Sequence, residues 1–125
     1  MLEPTPAQRL RITPGTAIWM SHPERITVLE PWPNDTSQVG AVGQAGAALL
    51  FADDEEVLRA GLDRALEDLP AGASIWVVHR GRAGGAIDRL SATLADYGLA
   101  AEEQVQLNGR WAAAGCRRTG QARLA

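Results

Sequence analysis

Between His79 and Gly85 the chain reads HRGRAGG: one histidine, two arginines and three glycines within seven residues. The apolar run Ser74–Val78 stops just before it, and a helical pattern begins just after it. His79, Arg80 and Arg82 at the end of a strand, followed by Gly84 and Gly85 at the start of a helix, are the parts of an anion site. Such a site combines free backbone N–H groups, guanidiniums, and glycines that let a ligand approach the main chain. The run is neither G-x-G-x-x-G nor a Walker loop, and it contains no lysine. The plainer reading is a solvated strand-to-helix turn.

Three other groups carry chemistry. SHPER, Ser21 to Arg25, puts His22 and Glu24 at the tip of an earlier strand. Together with His79 from a neighbouring tip they would form a group suited to proton transfer or metal binding. No H-x-H or H-x-x-E spacing accompanies them, so no metal site is assigned. DDEE, Asp53 to Glu56, offers Asp53 to a ligand. Its competing role is helix initiation, with Asp53 or Asp54 as the cap and the acids at the positive end of the helix dipole. Trp32, held between prolines in EPWPND, suits a partner contact, because a rigid aromatic loses little entropy on binding. Trp19, Trp76 and Trp111 read as packing residues. Cys116 sits on an expected strand, with no histidine or asparagine spaced for a catalytic thiol. There is no G-x-S-x-G elbow. No catalytic residue is assigned.

The bulk properties limit the function classes. A chain of 125 residues is expected to form one domain, 1–125, large enough to be held by its own core. A net charge of −3 argues against a general nucleic-acid binder. All 12 basic residues are arginine, which reads as the codon bias of a GC-rich genome. A single cysteine excludes an intramolecular disulfide and fits a reducing compartment. MLEPTPAQRL lacks a basic start followed by an apolar core, and no apolar run approaches the roughly 20 residues that span a bilayer. The expectation is a cytoplasmic protein with no membrane partner.

These residues need elements to position them. Thr5 and Pro6 predict a short first helix. Thr16–Ser21, Ala47–Asp53 and Ser74–His79 read as buried strands, the last an unbroken apolar run of the kind covered on both faces. PERITVLE predicts a short helix, and Asn34–Ser37 a loop. Asp53–Leu69 and Gly84–Leu99 have apolar residues at three-and-four spacing and predict two longer helices, with Gly98 as a C-cap. Asn108-Gly109 predicts a closing hairpin. Strands alternating with helices imply a parallel sheet, to which the hairpin adds an antiparallel element. The expected fold is a Rossmann-like three-layer α/β sandwich with five strands in the order first, second, third, fifth, fourth. The first strand would be a free edge open to pairing.

This order resembles the later part of a class I methyltransferase domain, in which the last strand runs antiparallel between its two predecessors. Four segments also resemble a small, mostly actinobacterial family: LRITPGTAIWM, AALLFADDEE, IWVVHRGRAGG and NGRWAAAGCRR. They cover most of the chain, and the likeness lies in their order and spacing. The resemblance implies an adenosylmethionine-type scaffold with a glycine-rich turn after the first strand and an acid at the end of the second. Here the first strand runs into SHPER, and the stretch between Glu30 and Ala47 leaves no room for the strand and helix that would present the acid. The expectation is therefore a truncated methyltransferase-like domain with no cofactor, acting as a binding or regulatory module. Its partner would be a protein or a second copy of the chain. The alternatives are a sensor of a small anion or nucleotide that uses the His79–Gly85 loop, and an atypical methyltransferase.

Overall fold

The computed structural model describes residues 5–82 and 87–119. Its helices are α1 (Pro6–Arg9), α2 (Glu55–Ala65) and α3 (Ile87–Asp96), with 3₁₀ segments at Pro23–Leu29 and Val42–Gln44. The strands are β1 (Ala17–Met20), β2 (Ser37–Gln38), β3 (Ala47–Phe51), β4 (Ser74–Arg80), β5 (Leu99–Gln106) and β6 (Trp111–Arg118).

The helix ends follow local chemistry. Thr5 and Gln8 form a reciprocal capping box around α1, each side chain taking the other residue's backbone N–H. Asp54 caps α2 by accepting the Val57 N–H at 2.8 Å, with Glu55 and Glu56 in the first turn. Gly98 ends the segment after α3 at φ +75, a left-handed conformation that glycine adopts without strain. PERITVL forms the short helix expected of it, in tight 3₁₀ form.

The strands form one six-stranded sheet in the order β2-β1-β3-β4-β6-β5. β2, β1, β3 and β4 are mutually parallel, and β6 runs antiparallel between β4 and β5. The class is the expected one, mostly parallel with an antiparallel hairpin. The strand count and the free edge are corrected. β2 pairs with β1 through Ala17↔Ser37 and Ile18↔Gln38 and covers it. A two-residue strand inside loop-like NDTSQ has no periodicity to reveal it. Only its neighbour supplies the reason for it to be extended.

Alternation along the strands divides the core into two clusters. Trp19, Leu50 and Val77 face α2 and α3, where they meet Leu58, Leu62 and Leu94. Ile18, Phe51, Trp76 and Val78 face the other way, toward Leu10 at the end of α1 and Leu29 of the 3₁₀ segment. Burying each of these large apolar side chains contributes about 1.5–3 kcal/mol. The helices lie close to the sheet at Gly61, where a Cβ would stand 3.0 Å from the Leu50 side chain. No described helix is long and apolar enough to cross a membrane.

Candidate functional site

β1, β3 and β4 run parallel, so their C-terminal ends gather at one rim of the sheet, the usual ligand side of an open α/β fold. Two sets of residues meet there, one on each face.

On the α1 face, β1 passes through Ser21 and His22 into the 3₁₀ segment, which carries Arg25 back over the rim. Arg25 grips Asp53, just past the end of β3, with two bonds of 2.8 and 2.7 Å. Its guanidinium stands 5.2 Å from the centre of the Phe51 ring and 5.7 Å from that of Trp111. Arg80 lies over Trp111 at 4.9 Å. Phe51 meets the rings of His22 and Trp111 edge-on, at 5.7 and 5.5 Å. The Ser21 hydroxyl accepts the Phe51 N–H at 2.9 Å and shares a hydrogen with His22 Nδ1, also at 2.9 Å. The result is an aromatic platform topped by two guanidiniums and one carboxylate.

The Arg25 hydrogen bonds hold the Asp53 carboxyl below its ordinary range, with Arg80 and His22 adding smaller electrostatic help. The same pair raises Arg25. A depressed folded-state value means stability that is present above the unfolded-state value and lost as pH falls through the folded one. Asp53→Asn is therefore expected to be less stable than the wild type at about pH 6, with the gap narrowing toward about pH 3. Urea unfolding at both values measures it. A gap independent of pH would mean that the ion pair does not form in solution.

On the opposite face, His79 lines a cleft of about 340 Å³ with Ala52, Asp53, Asp54, Arg80 and Arg89 among its neighbours. His79 and Arg80 are adjacent on β4, so their side chains leave the sheet on opposite faces and meet the cleft only at the strand tip. His79 Nδ1 lies 3.2 Å from the Arg80 carbonyl oxygen. Its Nε2 is buried and has no hydrogen-bond partner among the described residues.

The structure thus brings Asp53, His79 and Arg80 together at the rim. His22 packs against Phe51 on the α1 face and does not converge with His79. Arg82 is exposed. Gly84 and Gly85 lie outside the described residues. Trp32 is half-buried against the α1-side cluster, its indole N–H donating to the Ile26 carbonyl at 3.0 Å. Among the described residues no group of three histidines, cysteines or acids is placed to hold a metal. The Cys116 thiol is pushed up to about 12 by burial, which makes it a poor nucleophile. Sequence reasoning missed Arg25 and Arg89. Arg25 stood inside SHPER, where only its neighbours drew notice. Arg89 lies four residues past Gly85, in the first turn of α3.

No protein-family model matches the chain, and no curated protein matches it. The expected likeness to a small actinobacterial family therefore finds no support in these comparisons. Solved structures do match. The ribosomal protein L11 methylase from Lactobacillus delbrueckii subsp. bulgaricus superposes at a TM-score of 0.50 with 12% identity, covering 90% of this chain and 74% of that one. An O-methyltransferase from neocarzinostatin biosynthesis, solved with S-adenosyl-L-homocysteine and 1,4-dihydroxy-2-naphthoic acid, superposes at 0.51 with 15% identity, covering 83% of this chain and 49% of that one. This chain therefore spans about three quarters of the first protein and about half of the second. At these identities the likeness is one of fold: Rossmann-like and methyltransferase-like.

Proposed function

We propose that this chain is a non-enzymatic binding module on a methyltransferase-like scaffold, with the cofactor mouth closed. The observation that carries this reading is the Arg25–Asp53 ion pair across the tips of β1 and β3. A Rossmann-like cofactor turn needs glycines where the backbone meets the ligand. Here the chain after β1 places His22, Pro23 and the Arg25 side chain at that point. β2 is only two residues long and continues into Val39 and Gly40, with no carboxylate to meet a ribose.

The test is thermal unfolding with adenosylmethionine and its demethylated product. A ligand at a hundred times its dissociation constant adds about 2.7 kcal/mol to the folded state. No shift in Tm is expected with either compound at millimolar concentration. A saturable shift with either would overturn the reading in favour of an atypical methyltransferase.

A small anion is the ligand class that fits the rim. Arg80 and Arg89 make no salt bridge among the described residues, whereas Arg25 is paired.

A further inference from the structure

His79 is 1% exposed, yet its ring Nε2 has no partner among the described residues. The Arg80 carbonyl beside Nδ1 can only accept, so Nδ1 carries a hydrogen and donates it. In the neutral ring, Nε2 is then a bare lone pair. Buried polar atoms are nearly always hydrogen-bonded, and an exception calls for a partner such as a ligand or water. What Nε2 requires is an O–H or N–H donor arriving from the cleft.

The charges around the cleft decide what else that donor carries. Three acids line it, and all three are engaged. Asp53 is held by Arg25, Asp54 caps α2, and Glu55 is bonded by Arg59. Arg89 is not paired with any acid among the described residues, whereas the Arg80 guanidinium lies over Trp111 on the α1 face. The unmatched groups are thus one acceptor and one guanidinium, that of Arg89, set beside the N-terminus of the eleven-residue α2. A volume of about 340 Å³ is at the small end of ligand pockets.

We propose that this cleft binds a small hydroxylated oxyanion of sugar-phosphate size. A ligand hydroxyl donates to His79 Nε2, and the phosphate or carboxylate is held by Arg89 beside the start of α2. The proposal deepens the binding-module reading and rests on it in one respect: the ligand is held and not methylated.

The test is thermal unfolding of the full chain with ribose 5-phosphate, gluconate, ribose and inorganic phosphate, each up to about tenfold above physiological metabolite levels (near 1 mM). Ribose 5-phosphate or gluconate is expected to raise Tm more than ribose or phosphate does. Which of the two acts tells phosphate from carboxylate. His79→Leu is expected to weaken that ligand at least tenfold, and Arg89→Ala to abolish its effect. A second measurement needs no variant. The ¹⁵N spectrum of the His79 ring is expected to show hydrogen on Nδ1, and Nε2 is expected to move when the active probe is added. No shift from any probe, or a shift that His79→Leu leaves unchanged, overturns the proposal. A response to adenosylmethionine defeats the binding-module reading separately, and the four probes still decide the cleft.

Discussion

Phe51→Ala is expected to destabilise the protein by about 3–5 kcal/mol, the upper range for removing a buried side chain. Phe51 is fully buried at the end of β3. Its ring is the support on which the rim is built. His22 and Trp111 meet it edge-on, and the Arg25 guanidinium stands over it. Removing it leaves a cavity bounded by strands that cannot collapse, because β1 and β4 hold β3 by parallel ladders on both sides. It also takes the platform from under the Arg25–Asp53 pair, which then becomes more hydrated and weaker. Urea unfolding monitored by tryptophan fluorescence measures the loss. A cost below about 1 kcal/mol would mean that the ring is not the support of the rim.

His79→Leu is expected to act in the opposite direction and stabilise the ligand-free protein. A buried acceptor with no partner costs about 1–3 kcal/mol, and the Nδ1 hydrogen bond to the Arg80 carbonyl returns about 1 kcal/mol of that. Leucine has similar volume and leaves no cavity. Its neighbours in the cleft, Ala52 and Leu90, are already apolar and buried. The net gain is about 1 kcal/mol, or a rise of roughly 4 °C in Tm for a domain of this size. A residue kept at a cost to stability is the pattern of a functional group. Calorimetry of the wild type and the variant without ligand decides it. If the variant is instead less stable by more than about 1 kcal/mol, His79 is an ordinary, satisfied member of the core.

The two results together separate packing from function at one rim. Phe51 is expected to behave as structure and His79 as a site, although they lie on adjacent strands.

Much of the scaffold was legible because it is local. The apolar runs of β1, β3 and β4 show strands that are buried on both faces. Three-and-four spacing shows α2 and α3. Thr5 is a cap by its own chemistry, as is one of Asp53 and Asp54, and Asn108-Gly109 closes the β5–β6 hairpin, where the Asn108 side chain accepts the Arg110 and Trp111 N–H groups at 2.8 and 2.9 Å. One part of the site was also legible in principle. Neighbours on a strand point to opposite faces, so His79 and Arg80 belong to different surfaces as soon as β4 is recognised.

Pairings across long stretches of chain are of another kind. Twenty-eight residues separate Arg25 from Asp53, and nothing in either local pattern names the other. β2 is extended because β1 offers it hydrogen bonds, and two residues carry no period of their own. The unmet Nε2 of His79 is a property of everything that surrounds it. The sequence by itself determined which segments are strands and helices, which residues cap them, and which charges gather near strand ends, since these follow from intrinsic preference and spacing. Only the tertiary structure decided which of those charges neutralise one another and which remain open, because that depends on distances between segments remote in the chain.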